Sequence, residues 1–277
     1  MRKTFKLDFG ERRIEFNRKA HNRMGRKYSQ MHTEIFNAVE QKRLYDCVIE
    51  SKGAINTPDL VKRALDFGCG TGNVTAHLLE AGFHVVGMDI SERFLDIVLE
   101  RFRESGEFEA LLANGEDLSN LGSNSFDLIV AYSVLHHIPD YIKIVREFAR
   151  IAKSGGIIVL DHEVNEGFWK KSELYERYLK LSTPAGRSGI HSRLTMSSLI
   201  GRFNRVFRPR HQPEGDIHVW PDDHIEWPLI REVLAHEGCR IVKEEDYLLY
   251  RAGVSLDDYI ELAAQCNDMK VLTARKT

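Results

Sequence analysis

The segment Asp66-Phe67-Gly68-Cys69-Gly70-Thr71-Gly72 constrains the fold more than any other stretch of the chain. An apolar run over 61–67 leads into it and reads as a buried strand. Val74, Leu78 and Leu79 follow at helical spacing. Glycines at 68, 70 and 72 let the backbone take positive φ and approach a ligand without a Cβ in the way. The helix that starts there presents free N–H groups toward a carboxylate or phosphate.

The alternation continues along the chain. Strands are expected over 84–89, 108–112, 126–132 and 157–161. Helices are expected over 72–80, from Ser91 as N-cap to about 104, and over 140–153. The C-terminal part predicts a helix from Pro221-Asp222-Asp223 to about His236, a strand over 240–249, a helix over 256–265 and a last strand over 269–274. Seven strands alternating with helices imply an α/β fold, a Rossmann-like and mostly parallel sheet covered on both faces. Phe5, Leu7 and Phe9, then Ile14 and Phe16, alternate around Gly10 and suggest a short hairpin. A helical pattern runs from about 22 to 50. The expected organisation is a helical lead-in over 1–60, a core over 61–163, a helical insertion over 164–220 and a core completion over 221–277.

Spacing selects the cofactor. A dinucleotide site carries G-x-G-x-x-G, whereas this turn reads G-x-G-x-G after an acid. Asp89 ends the next strand, 17 residues after Gly72, where a carboxylate can accept hydrogen bonds from ribose hydroxyls. The turn resembles the first motif of the class I S-adenosylmethionine-dependent methyltransferases. Further segments agree: Val85-Val86-Gly87-Met88-Asp89-Ile90-Ser91, Ala113-Asn114-Gly115-Glu116-Asp117-Leu118, Asn124-Ser125-Phe126-Asp127-Leu128-Ile129, Val134-Leu135-His136-His137-Ile138 and Lys153-Ser154-Gly155-Gly156.

The resemblance implies S-adenosylmethionine as cofactor and a set of roles. The backbone through Gly68, Cys69, Gly70 and Gly72 would hold the methionine part, and Asp66 its ammonium group, directly or through water. Asp89 would hold the ribose and Ile90 would pack on the adenine. Asn114 stands where the family commonly has an aspartate near the adenine amino group. Gly115 or Glu116 would offer a backbone N–H to the ring. Tyr28 resembles a tyrosine that closes over the cofactor in many relatives.

Methyl transfer needs an aligned acceptor, excluded water and sometimes a base. His136 and His137 follow the fourth strand and His162 follows the fifth; imidazole suits a base near neutral pH. His162 is favoured because a strand end fixes it. His191, His218 and His224 lie in or near the insertion. From Arg177 to Pro213 there are eight Arg or Lys and no acid, which suits a small acceptor bearing a carboxylate or phosphate. The expected reaction is methylation of oxygen or nitrogen on such a molecule. RNA methylation through the same run is a second reading, weakened by its few aromatics. A non-catalytic binding protein is a third.

No metal is expected. The acids around Asp216, Asp222, Asp223 and Glu226 read as a helix start, and Tyr132-Ser133 replaces the aspartate of the metal-dependent branch. Net charge is −2, so no basic field covers the whole chain. Cys47, Cys69, Cys239 and Cys266 form no C-x-x-C pair, and no secretory signal or membrane-length apolar run is present. A soluble cytoplasmic protein is expected.

Overall fold

The computed structural model describes residues 13–23, 25, 32–182 and 225–277. Residues 1–12, Tyr28, most of the insertion, and His191, His218 and His224 lie outside them, as do Asp216, Asp222 and Asp223.

Residues 13–23 form helix α1, so Ile14 and Phe16 belong to a helix and not to a hairpin arm. Their spacing of two was too short a run to separate the two periods. Helix α2 spans Ala38–Ala54, with the Asn37 side chain accepting from the Glu40 N–H as N-cap. The alternating core follows: β1 (Arg63–Phe67), α3 (Asn73–Glu80), β2 (His84–Asp89), α4 (Glu92–Arg101), β3 (Phe108–Leu112) and β4 (Phe126–Tyr132). Then come α5 (Tyr141–Ile151), β5 (Ala152–Val164), α6 (Glu166–Lys170), α7 (Glu173–Ser182), α8 (Trp227–His236), β6 (Cys239–Tyr247), α9 (Leu256–Ala263) and β7 (Met269–Lys276). Helix α8 starts at Trp227, six residues later than Pro221 suggests. Pro228 in its first turn is the true start signal.

The seven strands form one sheet in the order β3-β2-β1-β4-β5-β7-β6. β1 to β5 are parallel, and β7 runs antiparallel between β5 and β6. The strands are apolar at consecutive positions because both faces are covered. Ala64, Val85, Leu128 and Val159 face one way and pack with Leu44 and Val48 of α2 and Leu78 of α3. Leu65, Val86, Ile129 and Leu160 face the other way, toward Val145 and Phe148 of α5 and Ile230 of α8. The strand order reverses between β1 and β4, and ligands bind such sheets at the carboxyl ends beside that reversal.

One irregularity matters for the site. The β5–β7 register shifts between Leu160 and Glu163, and His162 takes φ 61°. This bulge breaks the alternation. Asp161 and His162 both meet groups of α2, while Glu163 meets the loop after β4 on the opposite face.

The Lys153-Ser154-Gly155-Gly156 turn shows why glycine stands there. Gly155 has φ +82°, and a Cβ would run into the Asn56 carbonyl oxygen. Gly155→Ala is therefore expected to lower stability by about 2–3 kcal/mol, from left-handed strain and the displaced carbonyl. Urea unfolding should show a lower midpoint at unchanged slope. An unchanged midpoint would refute the clash.

Candidate active site

β1 ends at Phe67, and the turn folds back onto β2. The N–H groups of Gly68 and Cys69 donate to the Met88 carbonyl at 2.8 and 3.0 Å. The Gly70 N–H donates to Asp89 Oδ2 at 2.9 Å. Gly70 has φ +51°, and a Cβ there would meet no protein atom within 4 Å. Gly68 and Gly72 differ, because a Cβ would strike Val134 or Phe102. Gly70 thus keeps ligand space open, and its neighbours keep the turn packed. The Cys69 thiol is buried with Leu95 and Val98, and burial pushes its pKa well above the usual range.

A cleft partly open to solvent, with a cavity volume of about 100 Å³, lies over this turn at the carboxyl edge. Gly68, Gly70, Asp89, Ile90, Gly115, Glu116 and His137 line it. Asp89 is a nearly buried part of its wall. Its Oδ1 accepts from the Ser91 N–H at 2.8 Å, while the Ser91 hydroxyl caps α4. Burial pushes the Asp89 carboxyl up to about 6, against the pull of the Ser91 and Gly70 N–H groups. Asp66 lies one layer below and is not part of the cleft wall. It accepts from the Thr75 hydroxyl at 2.5 Å, and burial pushes it up to about 7.

Asn114 is placed differently from the sequence expectation. It is exposed, and its Oδ1 accepts from the N–H groups of Glu116 and Asp117. The side chain shapes the loop and does not face the cleft, as short amides do in such turns. Asp117 lines the cleft instead, with Oδ1 held by Asn114 and Ser119 and Oδ2 by Lys143. The sequence reading missed Asp117, although the Asn114-Gly115 pair signals the turn that presents it.

It also missed α1. Ile14, Asn17 and His21 line the cleft. Arg13 donates to the His136 carbonyl at 2.8 Å and Asn17 to the His137 carbonyl at 2.9 Å. The His21 ring stacks on Phe94 and meets His137 edge-on. Burial, then the neighbouring His136, lowers its pKa to about 4, so His21 is neutral at physiological pH.

The three candidate histidines separate. His137 is on the cleft wall. His136 is buried outside it, with Nδ1 at 2.7 Å from Glu163 Oε2. Glu163 Oε1 also accepts from the Val134 and Leu135 N–H groups. His136 therefore braces the loop after β4. His162 is buried behind Tyr132, whose ring it stacks on at 4.7 Å, and Tyr132 lines the cleft. Among the described residues no group of three or more His, Cys, Asp or Glu is arranged to hold a metal, and no helix is long and apolar enough to cross a membrane.

Residues 65–160 match the family model of a methyltransferase domain. The ubiquinone biosynthesis O-methyltransferase of Methylococcus capsulatus is 36% identical over 98 residues, 35% of this chain and 41% of the relative. The demethylmenaquinone methyltransferase of Bacillus licheniformis is 31% identical over 125 residues, 44% of this chain and 53% of the relative. The chain thus spans about half the length, or less, of the curated relatives it matches. The magnesium protoporphyrin IX methyltransferase of Synechocystis, solved with bound S-adenosylhomocysteine, shares the fold at TM-score 0.55 and 15% identity, over 96% of this chain and 100% of that one. An S-adenosylmethionine-dependent methyltransferase from Mesorhizobium loti does so at 0.53 and 17%, over 83% and 96%. Residues 65–160 thus match a methyltransferase domain, and the strand order and overall fold are shared with solved S-adenosylmethionine-dependent methyltransferases.

Proposed function

We propose that this chain transfers the methyl group of S-adenosylmethionine to a hydroxyl oxygen of a small acceptor of the quinol or phenol class. The observation that carries the reading is Gly70, a left-handed position with open space above it, pinned by the carboxylate that ends β2. In this reading the backbone of Gly68 to Gly72 holds the methionyl part. Asp66 meets its ammonium group through the turn or a water. Asp89 takes the ribose, and Ile90, Gly115, Glu116 and Asp117 take the adenine. The cofactor supplies an electrophilic sulfonium methyl. The protein holds the acceptor oxygen in line, keeps water out and takes up the hydroxyl proton.

Of the three candidate histidines His137 is the one on the cleft wall, so it is the proton acceptor in this scheme, and His162 backs Tyr132 from behind. The acceptor class is supported by the quinone-pathway names of the relatives. The acid-free run from Arg177 to Pro213 supports an acidic substituent on it. All four cysteines are free, which fits a reducing compartment such as the cytoplasm.

The test is calorimetric titration with S-adenosylmethionine and S-adenosylhomocysteine, followed by transfer of labelled methyl to a panel of catechols and quinols. Micromolar binding with label on oxygen is expected. Absence of binding overturns the cofactor assignment. Binding with label delivered only to RNA or to nitrogen overturns the acceptor.

A further inference from the structure

Four non-glycine residues among the described ones hold positive φ: Asn124, Ser133, His162 and Lys171. Local chemistry explains two of them. Asn124 stands in the turn before β4, where a short amide tolerates the left-handed region, and Lys171 closes α6 as its C-cap. His162 belongs to the β5 bulge and is buried behind Tyr132. Ser133, at φ 55°, is the one of the four that lines the cleft. It follows the last residue of β4, at the carboxyl edge of the sheet.

The surroundings force this backbone. The Ser133 N–H donates to the Asp161 carbonyl at 2.9 Å, and Asp161 is itself held by Arg43 of α2, whose Nη2 lies 2.9 Å from Oδ2. The next two N–H groups, of Val134 and Leu135, both donate to Glu163 Oε1, at 2.9 and 2.7 Å. Three consecutive amides are thus fixed from the end of β5. Strained residues persist where the structure over-determines them, and they collect at functional positions. Glycine would take this φ freely, yet the chain carries a hydroxyl here. That hydroxyl bonds to no other described residue, and Ser133 is only partly buried. Val134 beside it reaches the glycine turn, since a Cβ on Gly68 would lie 2.5 Å from Val134 Cγ2. His137 lines the same cleft four residues on. One short loop therefore carries Ser133, a contact with the turn assigned to the methionyl part, and the histidine assigned to the proton.

We propose that Ser133 is an acceptor-binding residue: its hydroxyl, presented by this fixed left-handed position, hydrogen-bonds the oxygen that receives the methyl group. This rests on the proposed methyl transfer. A phenolic oxygen has one O–H bond and two lone pairs. The O–H is directed to His137, one lone pair faces the sulfonium methyl, and the Ser133 hydroxyl donates to the other. In the reaction the acceptor O–H bond breaks and its proton joins the imidazole of His137. The oxygen pair forms the O–CH3 bond, and the C–S bonding pair returns to sulfur. The serine hydroxyl is unchanged throughout. Its work is to hold the oxygen in line, and a rigid backbone makes that hold exact in direction.

The test compares Ser133→Ala with Ser133→Gly in the full chain. Both remove the hydroxyl, but only glycine also relieves the backbone. With the acceptor found in the panel, both variants should lose about 10- to 100-fold in kcat/KM for the acceptor. KM for S-adenosylmethionine and the affinity for S-adenosylhomocysteine should stay within threefold of wild type. The urea midpoint should rise in Ser133→Gly and hold in Ser133→Ala. Wild-type kcat/KM in either variant overturns the proposal. So does a loss in Ser133→Ala that Ser133→Gly restores, because the backbone alone would then matter. An equal loss of S-adenosylhomocysteine affinity also overturns it, by moving Ser133 to the cofactor. A second readout needs no turnover: catechol titrated into the protein saturated with S-adenosylhomocysteine should bind about 10-fold more weakly to Ser133→Ala. Equal catechol affinity overturns the role of Ser133 and leaves methyl transfer standing. Label that never reaches oxygen in the wild type overturns the transfer reading, and this inference falls with it.

Discussion

Asp89→Ala is expected to weaken S-adenosylmethionine binding about 100-fold or more while leaving the sheet intact. The carboxylate does two jobs from one position. It accepts from the Gly70 and Ser91 N–H groups and so sets the turn, and its remaining lone pairs face the cleft. Two charge-assisted hydrogen bonds to ribose, at about 1.5–3 kcal/mol each, account for at least that loss. Asp89→Asn keeps one acceptor oxygen and should lose less. Calorimetry decides, and an Asp89→Ala affinity within threefold of wild type would remove Asp89 from the site.

The pH dependence has two opposing parts. Burial raises Asp89 to about 6 and Asp66 to about 7, from 3.8 in the unfolded chain. Their folded state holds protons more tightly. Their contribution to stability is therefore full below pH 3.8 and is lost as pH rises through about 6 and then 7. Cofactor binding runs the other way, since ribose hydroxyls and an ammonium group prefer the ionised carboxylates. Affinity should fall as pH drops through 7 and 6, over the window in which these two groups contribute more to apo stability.

Gly70→Ala should give a protein that folds and does not bind. Left-handed backbone costs an alanine about 1–2 kcal/mol, but its Cβ meets no protein atom. The methyl stands in the cleft, where a loss above 100-fold in affinity is expected. Gly72→Ala is the contrast. Its Cβ would lie 2.6 Å from the Phe102 ring and 2.7 Å from Val98, so stability should suffer by about 3 kcal/mol with a smaller effect on the affinity of the folded fraction. Thermal melts and titrations on both variants separate the roles. Equal affinity loss in both, or normal binding by Gly70→Ala, would contradict this division.

The features legible in the sequence are those written locally. The glycine turn, the Ser91 cap, Asp89 and the strand–helix alternation each depend on a few adjacent residues, and the structure places them as expected. What escaped depends on distant partners. His136 looks like a site histidine until Glu163 on another strand takes its Nδ1. His162 looks like a plain strand-end residue until the bulge turns it toward α2. Ile14, Asn17 and His21 carry no motif; only the folding of α1 over the loop after β4 brings them to the cleft. Asn114 was misplaced for the opposite reason. A family position was followed where local turn chemistry, with two backbone N–H groups in reach, decides.

Strand β7 gives the protein a particular order of construction. It follows β6 in the chain, yet it lies between β5 and β6. While the ribosome is still translating the segment before Met269, the emerging chain carries a long apolar β5 with one flank bare. Such an edge invites pairing with other chains. The same late strand is the partner across which the Asp161–His162 bulge is defined. Synthesis thus leaves that edge bare until β7 docks. Slow docking in the cell should surface as chaperone dependence and insoluble product, not as a folded enzyme with a defective site.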